Sequence, residues 1–191
     1  MKKLYIVDPQ NDFMDNGTLP VAGSCERMQA LASYLDSLSL SFYDQIMVSL
    51  DWHPLTHCSF SEQGGPWPQH CVSFTDGALI LPQLMTALER WRRAGKLCFI
   101  TKGCKPDVEE YSGVDDALNE ALVRQLCQGI DQLDICGVVG TVCVQNTIQG
   151  IIDKQILPAP QIHVLPDYTA QFDQTAADQF MLWASGQGCN I

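Results

Sequence analysis

The sequence has no long hydrophobic run, and this absence argues against one class of protein. No stretch of about 18 consecutive apolar residues occurs in the 191-residue chain, so we expect no transmembrane helix and no membrane partner. The chain begins Met1-Lys2-Lys3 and reaches Asp8 after a short apolar segment. That segment is too short for a signal peptide and is instead predicted to be a first strand.

Positive charge is also scarce. Lys and Arg together number 11 against 22 Asp and Glu, which gives a formal net charge of −11. Such a surface is a poor partner for nucleic acid, and it permits a homo-oligomer without requiring one. Because 46% of the residues are hydrophobic, the chain has enough apolar material for one buried core. We expect a single domain over residues 1–191.

The chain lacks a Cys-x-x-Cys motif and, with nine cysteines, cannot pair all of its thiols within one chain. An odd number of cysteines without a signal peptide predicts reduced thiols and a cytoplasmic location. Cys98 and Cys136 stand inside apolar runs, where we expect small buried core residues. The sequence is therefore not that of a disulfide-stabilised secreted domain.

Apolar runs alternate with segments of helical periodicity along the whole chain. Strands are predicted at about 3–8, 45–50, 97–101, 133–139 and 161–165, and helices at about 25–38, 82–94, 115–128, 143–154 and 174–185. Ser24 is the expected N-cap of the first helix, and the C-terminal tail is long enough only for a very short further strand. This alternation predicts a Rossmann-like, three-layer α/β/α fold with a mostly parallel sheet of five or six strands.

Polar side chains stand where the predicted strands end: Asp8, Asp51, Lys102 and, just past the fourth strand, Cys143. Sites in such folds lie outside the carboxyl ends of the strands. Backbone N–H groups and the positive helix end at Cys143 are expected to favour a thiolate and to hold an oxyanion. Asp8 is then a candidate proton acceptor and Lys102 a stabilising cation. The competing interpretation is that Cys143 is simply one more buried thiol.

A second set of candidates surrounds the end of the second strand. Asp51 and His53 are two residues apart, so in an extended segment they point to the same side. Either His57 or His70, from the long loop at 52–80, is placed to complete the set. Two imidazoles and a carboxylate suit zinc, iron(II) or manganese and leave positions open for water or substrate.

Two aromatic residues, Phe13 and Trp67, lie in polar loops near these candidates. They either pack beneath the loops or sandwich a flat ring substrate. His163 is expected to be a core histidine in the fifth strand. The acidic residues between 107 and 116, which include Glu109 and Glu110, are expected to form a solvated face.

Together these pieces resemble the nicotinamidases of the isochorismatase-like cysteine hydrolases. The matching segments are Ile6-Val7-Asp8-Pro9-Gln10-Asn11-Asp12-Phe13, Gly17-Thr18-Leu19-Pro20-Val21-Ala22-Gly23, Asp51-Trp52-His53-Pro54, Trp67-Pro68-Gln69-His70-Cys71, Lys102-Gly103, Tyr111-Ser112-Gly113 and Val138-Val139-Gly140-Thr141-Val142-Cys143-Val144. The Asp-Trp-His-Pro and Trp-Pro-x-His-Cys segments are characteristic of nicotinamidases within that superfamily. The resemblance covers most of the chain.

The resemblance implies that nicotinamide is hydrolysed to nicotinate and ammonia in NAD salvage. It implies a catalytic triad and a metal, most often zinc, that binds the pyridine nitrogen while aromatics matching Phe13 and Trp67 flank the ring. The implied triad is Asp8, Lys102 and Cys143. The implied metal ligands are Asp51, His53 and His70, with His57 as a further candidate. The implied oxyanion hole is formed by the N–H groups of Val139 and Cys143, with a cis peptide at Val138-Val139.

The chain departs from the pattern at three places. Gly140-Thr141 stands where the family usually has Thr-Asp, Val114 stands where it usually has Phe, and the segment between His57 and His70 is short. Two other functions therefore stay open. One is a related amidohydrolase acting on another carboxamide or a ureido compound, and the other is a metallohydrolase whose metal-bound water is the nucleophile.

Overall fold

The computed structural model describes all 191 residues and contains one five-stranded sheet in which every neighbouring pair is parallel. Its strands are β1 (Lys2–Val7), β2 (Gln45–Asp51), β3 (Leu97–Lys102), β4 (Gln132–Gly137) and β5 (Ile162–Thr169). Its helices are α1 (Ser24–Ser37), α2 (Pro82–Arg93), α3 (Ala117–Cys127), α4 (Gln145–Asp153) and α5 (Gln174–Gln187). The predicted parallel α/β fold is confirmed.

Helices cover both faces of the sheet and give the molecule two hydrophobic cores. Leu4 and Ile6 of β1 pack with α1 and α2 on one face, while Tyr5 and Val7 pack with α3, α4 and α5 on the other. All four side chains are fully buried. A central strand that is buried on both sides needs a continuous apolar run, which explains why its sequence shows no polar alternation.

The strand order is β3-β2-β1-β4-β5. The chain builds outward from β1 through β2 to β3, and then returns to lay β4 against the other side of β1. This reversal opens a crevice between the carboxyl ends of β1 and β4, where such folds bind ligands. Asp8 follows β1 directly and Cys143 follows β4, so both lie at this crevice.

Three local predictions are wrong. Cys98 is only partly buried, because β3 is an edge strand of the sheet. Ser24 does not cap α1; the carboxylate of Asp15 accepts the N–H groups of Gly23 and Cys25 instead. His163 is half-buried and not a core histidine, because it lies beside the C-terminal tail, with Nε2 3.0 Å from the side-chain nitrogen of Asn190. The sheet has five strands, the lower of the two predicted numbers, since the tail adds only a single bridge between Asn190 and His163.

None of the helices combines the length and the apolar character needed to cross a bilayer.

Candidate active site

Lys102 is the centre of the predicted cluster. Its ammonium Nζ lies 2.9 Å from Oδ2 of Asp8, 2.5 Å from Oδ1 of Asp51 and 3.6 Å from Sγ of Cys143. The side chain is 1% exposed, although a lysine is rarely buried unless its charge is paired. Burial lowers the pKa of Lys102, but the carboxylates of Asp51 and Asp8 outweigh it, and the pKa rises well above its ordinary value. Lys102 is therefore a permanent cation.

Asp8 is fully buried and adopts a left-handed backbone conformation with φ of 49°. Its Oδ1 accepts a 2.7 Å hydrogen bond from the hydroxyl of Ser49. Its Oδ2 faces Lys102 but receives no well-aligned hydrogen bond, so a lone pair is free. Burial raises the pKa of Asp8 against the opposing effect of Lys102. A carboxylate of raised basicity, whose Oδ2 has only the Lys102 ammonium beside it, suits a proton acceptor.

Cys143 lies in a wide turn, Gly140–Val144, that leads directly into α4. The Val138–Val139 peptide before this turn is cis, as the resemblance implied, and the N–H of Val139 donates no hydrogen bond within the protein. Burial raises the pKa of the Cys143 thiol well above its ordinary value, and Lys102 offsets only part of this effect. This direction is opposite to the expectation that the turn favours a thiolate, and it favours a neutral thiol beside Asp8.

Asp51, His53 and His70 form the second cluster. Their candidate ligand atoms all lie within 4.8 Å of one another, and all three side chains are buried. Nε2 of His53 is 3.6 Å, and Nε2 of His70 3.9 Å, from Oδ2 of Asp51. Burial raises the pKa of Asp51, but Lys102 and the histidines outweigh it and hold the pKa below its ordinary value. Asp51 is thus ionised.

Hydrogen bonds fix the tautomers of the two histidines. Nδ1 of His53 lies 3.0 Å from the carbonyl oxygen of Gly103, and Nδ1 of His70 lies 2.8 Å from that of Pro68. A carbonyl only accepts, so each Nδ1 carries a proton, and in the neutral ring Nε2 is the nitrogen left to bind a metal beside Asp51. Histidines that bind metals are oriented by such second partners. The donor set therefore fits a divalent metal.

His57 lies beside this cluster but differs from it in its hydrogen bonds. Its Nε2 is 3.1 Å from the carbonyl of Val108, and its Nδ1 receives the hydroxyl and the N–H of Ser59. Both ring nitrogens are therefore engaged by the protein. Its ring packs 4.1 Å from that of His53, centroid to centroid, so His57 supports a ligand in this conformation without offering one.

Three residues support the site through contacts that the sequence does not predict. The side-chain amide of Gln10 bonds both the N–H and the carbonyl of Asp51, at 2.7 Å each, and so holds the end of β2. Gly103 is in the left-handed region, with φ of 64°, and a Cβ there would meet the ring of His53. Glu110 was expected on a solvated face but is 5% exposed, because its carboxylate accepts the N–H of Gly103. Sequence alone does not show such loop closures.

Aromatic side chains wall a narrow cleft above Cys143 and the metal ligands. Phe13 packs against His70 with ring centroids 5.6 Å apart. Trp67 donates its indole N–H to the hydroxyl of Tyr111 and stacks on Phe172, at 6.5 Å and 18°. Phe172 had no sequence signal, since it lies in the connection between β5 and α5. The cleft is shaped for a small, flat molecule.

No family model matches the chain. Individual proteins do match it. The nicotinamidase/pyrazinamidase of Mycobacterium tuberculosis is 30% identical over 173 residues, which are 89% of this chain and 87% of that protein. Among solved structures, a pyrazinamidase of Pyrococcus horikoshii in complex with zinc superposes with a TM-score of 0.82 at 29% identity, covering 100% of this chain and 97% of that one. A protein of L. infantum in complex with nicotinate gives a TM-score of 0.82 at 27% identity, covering 100% and 91%.

Proposed function

The chain belongs to the nicotinamidase/pyrazinamidase family, and from that membership we propose that it hydrolyses nicotinamide to nicotinate and ammonia through a thioester on Cys143. One observation carries the proposal. Lys102 contacts Asp8, Asp51 and Cys143 at once, and so joins a nucleophile and its base to a metal site. An amidohydrolase of this kind needs both parts within one small substrate's reach.

Attack on the carboxamide begins with the thiol of Cys143. Asp8 accepts the thiol proton as the sulfur bonds to the carboxamide carbon, and Lys102 stabilises both anions by its fixed charge. The carbonyl π electrons move to oxygen, and the N–H groups of Val139 and Cys143 donate hydrogen bonds to the resulting oxyanion. The unengaged N–H of Val139 supports this role, since an oxyanion donor must be free before the reaction.

Asp8 then returns the proton to the amide nitrogen, the C–N bond breaks and ammonia leaves. A water molecule gives its proton to Asp8 and attacks the thioester carbon. The C–S bond breaks, Asp8 reprotonates the sulfur, and nicotinate is released. The raised pKa of the Asp8 carboxyl suits a group that accepts a proton twice and donates it twice in one cycle.

We propose that zinc is held by Asp51, His53 and His70. Two neutral imidazoles and one carboxylate form a three-ligand set of the kind found in catalytic zinc sites. An ion bound there supplies an electrophilic anchor for the pyridine nitrogen. The protein's own part is to position the ring, with Phe13 and Trp67 packing against its faces and the carboxamide directed at Cys143.

We also propose that residues 1–191 act as one domain in the cytoplasm. Both helical layers pack on the same sheet, which supports one folding unit. All nine cysteines are free thiols, as expected in a reducing compartment.

The test is ammonia release from nicotinamide, pyrazinamide and benzamide, with Cys143→Ala as the matched variant. We expect turnover of the first two amides, little turnover of benzamide, which lacks a ring nitrogen, and none by Cys143→Ala with its metal retained. No release from nicotinamide by folded, zinc-loaded protein would refute the proposal. Near wild-type turnover by Cys143→Ala would instead assign the reaction to metal-bound water.

A further inference from the structure

A glutamine outside the triad is bonded to the turn that carries the nucleophile. The side-chain Oε1 of Gln171 accepts a 3.0 Å hydrogen bond from the N–H of Thr141, two residues before Cys143. Gln171 is 9% exposed, and its Nε2 has no hydrogen-bond partner. A methionine of similar length would fill the space without leaving an N–H unpaired. The amide therefore contributes through its oxygen.

Gly140 and Gln171 are a sterically matched pair. A Cβ at position 140 would occupy the space of the Gln171 amide, so a larger residue would displace that amide from Thr141. The backbone strengthens the same connection, because Gly140 donates its N–H to the carbonyl of Ala170, at 2.9 Å, and Ala170 donates to Gly137, at 3.0 Å. The segment after β5 is thereby bonded to the nucleophile turn at two points, Gly140 and Thr141, and to the end of β4 at Gly137.

We propose that Gln171 is a positioning residue that fixes the Gly140–Val144 turn and thereby the N–H groups of Val139 and Cys143. This inference rests on the proposed function, since those groups act only if an oxyanion forms there. The position is also where the chain departs from the family pattern, with Gly140-Thr141 in place of the usual Thr-Asp. Gly140 has no side chain with which to make such a contact. Gln171, from the segment after β5, supplies it instead by accepting the N–H of Thr141.

Two substitutions remove the contact in different ways. Gln171→Met deletes the acceptor at nearly constant length, and Gly140→Ala leaves Gln171 intact but takes its space. Because both substitutions break the same hydrogen bond, the double variant should lose little more activity than the more impaired single variant. Gln179→Met, on the exposed side of α5, is the matched control.

The probes are pyridine-3-carbaldehyde and nicotinate, bound to the zinc-loaded protein. The Cys143 sulfur adds to the aldehyde carbon, the C=O π bond breaks, and the thiol proton passes to Asp8, so that a tetrahedral oxyanion faces the turn. Nicotinate has the same ring without that oxyanion. We expect Gln171→Met and Gly140→Ala to weaken aldehyde binding about tenfold or more, to lower kcat similarly, and to leave nicotinate affinity and KM within about twofold.

Equal losses of affinity for both probes would show a general structural role and overturn the proposal, as would unchanged aldehyde affinity.

Hydrogen exchange gives a readout that does not depend on turnover. The segment 138–145 should exchange faster in both variants than in wild type and in Gln179→Met; unchanged exchange overturns the positioning role. If wild-type protein fails to hydrolyse nicotinamide, the proposed function falls, whereas the exchange result still decides the role of Gln171.

Discussion

Lys102 and Asp51 stand opposite each other at the ends of two neighbouring strands, with Nζ 2.5 Å from Oδ1. The other oxygen of Asp51, Oδ2, faces the two histidines. One carboxylate therefore belongs to both halves of the site. A substitution at Lys102 therefore affects Cys143 directly and also affects Asp51, one of the proposed metal ligands.

Replacing Lys102 with Met should abolish most activity and weaken the fold. The variant leaves Asp8 and Asp51 as two buried carboxylates without their shared cation, which should lower the free energy of unfolding by about 3–5 kcal/mol. Loss of a fixed charge at the reacting sulfur should lower kcat by about 100-fold or more. Urea unfolding and steady-state kinetics measure the two effects. Lys105→Met, at an exposed lysine, should change neither; a Lys102→Met protein with wild-type kcat would contradict the scheme.

Substitutions at His70 and at His57 should have different effects on zinc binding. His70→Ala removes a free Nε2 and should lose stoichiometric zinc, while His57→Ala should retain it, because both nitrogens of His57 are already bonded within the protein. In wild type, zinc at 100 times its Kd should raise the free energy of unfolding by about 2.7 kcal/mol. Elemental analysis after dialysis, together with urea unfolding, provides the measurement. Zinc loss from His57→Ala would make His57 a ligand.

The choice between these histidines marks a limit of sequence reasoning. The sequence predicts that Asp8, Asp51, Lys102 and Cys143 lie together, because parallel strands end at one edge of the sheet. His53 followed from its spacing to Asp51. His57 and His70 come from a long loop whose path depends on backbone bonds such as His53 N–H to the Cys71 carbonyl, and residue spacing does not encode those bonds.

Reactivity of Cys143 should depend on pH as expected for a resting thiol. Burial raises its pKa well above 9, so in metal-free protein the rate of alkylation by iodoacetamide should be low at neutral pH and should rise steadily as the pH increases, without levelling off near 7. Lys102 favours the thiolate, so Lys102→Met should label still more slowly at each pH. Mass spectrometry of the peptide containing Cys143 follows the reaction. Fast labelling that does not change between pH 6 and about 8 would show a resting thiolate.

The start of α1 offers a stability test in which sequence and structure disagree. Asp15→Ala should cost about 1 kcal/mol, since it removes the acceptor for two N–H groups, whereas Ser24→Ala should cost little because the hydroxyl of Ser24 has no partner. The N–H groups of Cys25 and Gly23 hold the pKa of Asp15 below its ordinary 3.8. Its stabilisation is therefore present above that pH and is lost as the pH falls through the lowered pKa. Urea unfolding of both variants at neutral and acid pH measures the two losses of unfolding free energy. A larger loss for Ser24→Ala than for Asp15→Ala would contradict the prediction.

Phe172 should affect substrate binding more than chemistry. It stacks on Trp67 in the wall of the cleft, which neither Lys102 nor Asp8 lines, so its removal should loosen the indole and leave the contacts between Lys102 and Asp8 in place. An aromatic pair contributes about 0.5–1.5 kcal/mol beyond burial, so Phe172→Ala should raise KM for nicotinamide about three- to tenfold while kcat stays close to wild type. Phe74→Ala, at a ring that is 90% exposed outside the cleft, is the matched control and should leave KM unchanged. A fall in kcat at constant KM would instead place Phe172 with the groups that hold the nucleophile turn, because Gln171 is its immediate neighbour.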